Sequence, residues 1–124
     1  MRHAILPADL ADRLGSPGDR PFLLDIRPVA DYERGAIEGS HNVPVYDDLA
    51  GGDDSTLRAE LDDVPTDRET VVICKQGIVA TRATAVLRDA GYDAKTLRGG
   101  MSAWRGFERN SLFYRLRRLY WRVR

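Results

Sequence analysis

Cysteine occurs once in this chain, at Cys74, while histidine occurs only as His3 and His41 and lysine only as Lys75 and Lys95. A single cysteine excludes an internal disulfide and any multi-cysteine metal site, and with so few histidines no metal centre is expected. Hydrophobic runs are also short. The longest aliphatic stretches, residues 22–26 and 71–74, fall far below the ~18 apolar residues that cross a bilayer. The opening residues 1–9 carry neither a long apolar core nor a small-residue cleavage pattern, so no signal peptide is expected and the cytoplasm is the expected location. Internal repeats and low-complexity segments are absent as well.

What the chain has is a segregated charge. Residues 1–104 carry 12 basic and 18 acidic side chains, a net −6, whereas residues 105–124 carry 7 basic and 1 acidic, a net +6. An acidic body argues against nucleic acid as the main partner. With 124 residues and 43% hydrophobic content, the chain is long enough for one domain with a buried core.

Strands and helices alternate along it. Residues 7–14 have helical spacing and stop at Gly15. Residues 21–26 form a nearly continuous apolar run, as expected of a strand buried on both faces. Pro28 is placed at the first position of a short helix over 29–34 that ends at Gly35. A turn and short strand follow over 39–45, then a loop over 51–54, with Ser55 or Thr56 expected to cap a helix reaching Leu61. Residues 71–74 read as a second buried strand, 78–90 as a helix ending at Gly91, 94–97 as a third strand and 101–107 as a last helix of the domain. The pattern predicts an α/β fold, a mainly parallel sheet covered by helices on both faces. In such sheets functional groups gather at the carboxyl ends of the strands, where residues 25–27 and 74–77 fall.

Cys74 ends a strand, and Lys75-Gln76-Gly77-Ile78 leads straight into a helix. A turn of this length can aim several backbone N–H groups at one point, and the helix adds the positive end of its dipole. An anion placed there is stabilised, so the turn favours thiolate over thiol. Gly77 fits a position of unusual backbone angle, and Lys75 adds a mobile positive charge beside the sulfur. The competing reading is that Cys74 packs as a small hydrophobe at a strand end.

Three segments together resemble a known family. Leu24-Asp25-Ile26-Arg27 with Tyr32-Glu33-Arg34-Gly35-Ala36-Ile37-Glu38-Gly39-Ser40-His41-Asn42-Val43-Pro44 resembles the first signature of rhodanese domains. Cys74-Lys75-Gln76-Gly77-Ile78-Val79 resembles their active-site loop, and Leu97-Arg98-Gly99-Gly100-Met101-Ser102-Ala103-Trp104 their closing motif. The resemblance covers about residues 3–107 and implies a rhodanese domain there; beyond it, the residue pattern predicts a basic amphipathic C-terminal helix over 108–124. It further implies sulfur transfer without a cofactor: Cys74 takes the outer sulfur of thiosulfate or a similar donor, and a thiol or cyanide accepts it from a persulfide. Lys75, Gln76, Gly77, Ile78 and Val79 would form the cradle for that persulfide. Asp25 would orient the loop backbone and Arg27 reach toward the site; the alternative is a structural ion pair holding the strand end, which is the preferred reading for Asp25 and stays open for Arg27. His41 is read as structural, Arg98 as exposed or paired, and Trp104 as core.

The chain departs from the pattern at Val79, where many single-domain members carry an arginine. Related phosphatases and arsenate reductases have an arginine six places after the cysteine, which here is Ala80, so phosphoryl chemistry is not expected. A non-catalytic or sulfur-carrier module acting through a partner is the alternative function. In the tail, Leu112, Phe113, Leu116, Leu119, Tyr120 and Val123 fall on one helical stripe among arginines. That stripe fits packing on the domain, a membrane surface or self-association through residues 111–124.

Overall fold

A computed structural model describes the backbone of residues 3–123 and the side chains of residues 3–112. The elements are β1 (Ala4–Ile5), α1 (Pro7–Leu14), β2 (Phe22–Asp25), α2 (Val29–Arg34), β3 (His41–Asn42), α3 (Tyr46–Ala50), α4 (Ser55–Ala59), β4 (Thr70–Ile73), α5 (Val79–Asp89), β5 (Ala94–Leu97) and α6 (Gly100–Val123). The five strands run in the order β1-β5-β4-β2-β3, and every pairing is parallel.

The strands form where β-branched and aliphatic residues are buried on both sides, which suits stiff side chains on a pleated surface. Leu24 and Val72 face one layer, with Val43, Leu49, Leu57, Val79, Ala83 and Leu87 beneath α3, α4 and α5. Leu23, Val71 and Ile73 face the other, against Ile5, Leu10, Leu97, Met101 and Trp104 under α1 and α6. Trp104 is thus a core residue. Helices cover both faces, as the continuous apolar runs require.

The sheet topology locates the site. From β2 the chain moves outward to β3, while from β4 it moves the opposite way to β5. The neighbours β2 and β4 therefore diverge beyond their carboxyl ends, the kind of switch point where α/β sheets hold ligands.

Several boundaries differ from the sequence expectation. Pro28 is the N-cap of α2, not its first helical residue, because its ψ of 150° is extended. Neither Ser55 nor Thr56 caps α4: its N-cap is Asp54, without a side-chain cap, while the Asp53 carboxylate accepts the Ser55 amide at 2.9 Å, and the helix ends at Ala59 before a short 3-10 turn over Leu61–Asp63. The helix expected over 101–107 does not stop there: α6 runs without a break from Gly100 to Val123. Residues 108–123 thus continue the domain's last helix instead of forming a separate one. The apolar stripe read in the tail beyond Leu112 lies outside the described side chains. Among the described residues no helix is long and apolar enough to cross a membrane.

Candidate active site

Cys74 is the first residue after the central strand β4, and its backbone continues through Lys75 to Ile78 into α5. The loop is held from outside by the start of α6. Cys74 O accepts the Met101 amide at 2.9 Å, and Lys75 O accepts the Ser102 amide at 3.0 Å. These donors belong to the first turn of a helix, which has no carbonyl of its own to offer them. Among the described residues no peptide bond is cis, so the N–H groups paired with those two carbonyls point away from α6.

Two glycines permit the close approach. Gly100 has φ +58°, and a Cβ there would collide with the Cys74 carbonyl and the Lys75 backbone. Gly77 has φ +83° and sits so near the β5–α6 turn that a Cβ would lie 2.9 Å from Gly99 N and 3.1 Å from Leu97 O. Left-handed backbone and contact with main chain both require glycine.

The Gly77 amide donates to Cys74 Sγ at 3.1 Å. The amides of Gln76, Ile78 and Val79 donate to no backbone carbonyl among the described residues. The N-terminus of the eleven-residue α5 carries no side-chain cap. The sulfur therefore faces an amide donor at the positive end of a helix. A cavity of about 260 Å³ opens on it, lined by Tyr46, Cys74, Lys75, Gln76, Ile78 and Val79. Cys74 is only 1% exposed and also packs in the hydrophobic cluster beneath α5. Both readings of this cysteine describe it: a packed residue whose sulfur borders a polar cradle.

The other candidates are placed as follows. Lys75, Gln76 and Ile78 are exposed at the rim, whereas Gly77 and Val79 are buried. Asp25 and Arg27 form a buried, bidentate pair, with Arg27 Nε to Asp25 Oδ1 at 3.0 Å and Nη2 to Oδ2 at 2.9 Å. Asp25 also accepts the Arg27 amide at 3.0 Å, and Arg27 Nη2 donates to Gly35 O at 2.8 Å. The Asp25 carboxylate thus binds Arg27, and its hydrogen bonds include none to the loop backbone. Arg27 does not line the Cys74 cavity; it lines a smaller one next to it that shares Lys75. His41 is exposed beside Phe22, and Arg98 is exposed.

Sequence reasoning missed three contributors. Asn42 Nδ2 donates to both Asp25 O and Arg27 O at 2.9 Å, fixing the chain beyond β2. Tyr46 supplies a wall of the cavity, and Arg105 joins Arg27 and Lys75. An asparagine in the short strand β3 was the one available signal; the others depend on long-range placement. Among the described residues no group of three or more His, Cys, Asp or Glu side chains is arranged to hold a metal.

A parallel α/β domain with a lone cysteine in an amide-lined loop between its central strand and the next helix defines the class of proteins with a cysteine loop at a sheet switch point. The model of the rhodanese-like domain matches residues 6–106, and the chain belongs to that family. It is 32% identical over 93 residues to an adenylyltransferase and sulfurtransferase of Zea mays, covering 74% of this chain and 19% of that protein. The chain thus spans about a fifth of that longer relative. It is 30% identical over 105 residues to a sulfurtransferase of Allochromatium vinosum, covering 84% of this chain and 89% of that one. Among solved structures, a rhodanese-related protein from Thermoplasma volcanium is 25% identical with a TM-score of 0.68, over 82% of this chain and 89% of that one.

Proposed function

We propose that this chain is a sulfurtransferase that carries sulfane sulfur on Cys74. The observation that supports it most is the Gly77 amide directed at Cys74 Sγ, 3.1 Å away, in a cavity flanked by Lys75. In the first step the Cys74 thiolate attacks the outer sulfur of thiosulfate or a similar donor. The S–S bond of the donor breaks, sulfite leaves with its bonding pair, and Cys74 becomes a persulfide anion. In the second step a thiolate or cyanide attacks the terminal sulfur, and the Cys74 thiolate is restored. Covalent storage splits one transfer into two. The amides of residues 75–79 would stabilise the persulfide charge, because fixed donors need no reorganisation when that charge appears. No histidine base is needed once the thiol is ionised, and no second cysteine exists to receive the sulfur. The acceptor is therefore another molecule. A single thiol that must stay reduced suits the cytoplasm.

A specific feature also favours a second reading, a sulfur-carrier module with little turnover. Val79 is buried, with 8% exposure, where many family members place a loop arginine, so the loop itself carries one cation. Two measurements separate the readings. Intact mass after incubation with thiosulfate should show one added sulfur in the wild type and none in Cys74→Ser. Thiocyanate formation from thiosulfate and cyanide, lost in Cys74→Ser, supports the enzyme; loading without thiocyanate supports the carrier. A wild-type protein that never gains sulfur from any donor would sink both.

A further inference from the structure

Arg27, Asp31, Arg34, Lys75 and Arg105 converge on a cavity of about 80 Å³ next to the Cys74 loop. They arrive from the end of β2, from α2, from the loop and from α6. Lys75 lines both this cavity and the one that holds Cys74. The charges do not cancel. Arg27 is matched by Asp25 in the buried pair. Arg34 reaches Asp31 at 3.6 Å, but the two side chains are 75% and 43% exposed, and solvated pairs of this kind hold an arginine weakly. Among the described residues Arg105 hydrogen-bonds the Gly35 carbonyl alone, at 3.4 Å, an acceptor that Arg27 already occupies. Lys75 makes no ion pair among the described residues. Arg34 and Lys75, from the segment 1–104 that carries a net −6, and Arg105, which opens the basic segment 105–124, thus face one carboxylate. A positive surplus gathered at one cavity marks a place for an anion.

We propose that Arg34, Lys75 and Arg105 form an anion-binding subsite for the oxyanion-bearing sulfur donor, with the two arginines supplying the cations that the loop lacks at Val79. The size fits a small ion: the cavity has room for a few heavy atoms, given that a water takes about 30 Å³ in the liquid. The identity of the anion as a donor rests on the sulfurtransferase reading, but the binding itself does not.

The test is a titration of full-length Cys74→Ser, which cannot form a persulfide, with thiosulfate, followed by amide chemical shifts. In that background Arg34→Gln and Arg105→Gln should each weaken binding about fivefold, the effect of roughly 1 kcal/mol for one nearby charge in water, and the pair should weaken it further. Arg98→Gln removes an equal charge from the exposed β5–α6 turn, outside the cavity, and should leave the Kd unchanged. Weakening by Arg98→Gln as large as that by Arg105→Gln would mean a diffuse field, and would overturn the subsite. So would the absence of saturable binding, or rim variants without effect. A parallel titration with 3-mercaptopropionate distinguishes donor from acceptor: if only this carboxylate responds to the arginines, the donor assignment fails. A protein that binds thiosulfate here yet never gains sulfur on Cys74 would sink the proposed function and leave the anion site standing.

Discussion

The carbonyl of Cys74 accepts the Met101 amide at 2.9 Å, so the residue that bears the sulfur also caps α6. The loop and the helix are a single packing unit, and Gly100 is the seam between them. Gly100→Ala would put a methyl group into the Cys74 carbonyl and force a left-handed L-residue at φ +58°. The backbone cost alone is about 1–2 kcal/mol, and the collision adds to it by displacing the loop. We expect a melting temperature lower by several degrees, with sulfur loading of Cys74 slowed roughly tenfold, as misplaced reacting groups do. Gly18→Ala is the control, because Gly18 also has positive φ but nothing lies within 4 Å. It should cost stability and leave loading intact. Equal loading in both variants would separate α6 from the site.

Arg27 and Asp25 are 4% and 0% exposed, so their pair is fully desolvated. Removing one partner of such a pair leaves a buried charge without compensation, typically at a cost of about 3–5 kcal/mol. Arg27→Met should be destabilised by that much in denaturant titration. The double variant Asp25→Leu/Arg27→Met should regain most of the loss, since an apolar pair can replace an ionic one at little cost. If the double variant were as unstable as the two single losses added together, the pair would not be the unit that matters here.

The central strands and the cysteine loop were legible in the sequence because each rests on local signals. Continuous apolar runs announced β2 and β4, and glycines or prolines bounded α1, α2 and α5. The elements that escaped are the ones with too few residues to show a period. β1 is Ala4–Ile5, and it exists through its pairing with Thr96 and Leu97. α3 is five residues with Leu49 as its buried side chain. At α4 the serine looked like the cap, but its hydroxyl donates to the Asp53 carboxylate at 2.6 Å, which turns it away from the helix amides. Within the site, Cys74 and its cradle were readable as one segment. Tyr46, Asn42 and Arg105 were not, since only the sheet topology and α6 bring them near residue 74.

Glu69 lies just before β4, at the opposite end of that strand from Cys74. It binds Arg13 of α1 and, at 3.0 Å, Lys95 of β5. Burial pushes its carboxyl up, but the hydrogen bonds and charges of Arg13 and Lys95 outweigh this and hold it below its ordinary value of 4.5. A carboxyl that is more acidic in the folded state stabilises the fold above its unfolded value, and loses that contribution as pH falls through the folded one. Glu69→Gln should therefore be less stable than wild type at neutral pH, with the gap narrowing as pH falls below the ordinary carboxyl value and through the lowered folded one. Denaturant midpoints across that range provide the check. A gap that stayed constant with pH would mean that the charge of Glu69 is not the source. Sulfur loading at neutral pH should not change, because the cluster is remote from the loop.

Tyr46 walls the Cys74 cavity from α3, and under the proposed function its ring is expected to limit which acceptor reaches the sulfur. Its amide is tied to Ile26 O at 3.0 Å, and its half-buried ring packs on the core, so the wall is fixed. No hydrogen bond of its hydroxyl is found among the described residues. Tyr46→Phe should therefore behave as wild type. Tyr46→Ala should open the wall at a stability cost of about 2 kcal/mol, below that of a fully buried aromatic. The acceptor spectrum should shift with it. The ratio of kcat/KM for glutathione over that for cyanide should rise roughly tenfold in Tyr46→Ala, the scale on which pocket size discriminates. Cyanide is small enough to pass either wall and acts as the internal reference, which removes any general loss of activity from the comparison. If Tyr46→Phe changed the ratio as much as Tyr46→Ala, the hydroxyl and not the ring would be at work. If neither changed it, acceptors would enter from the Lys75 side of the loop.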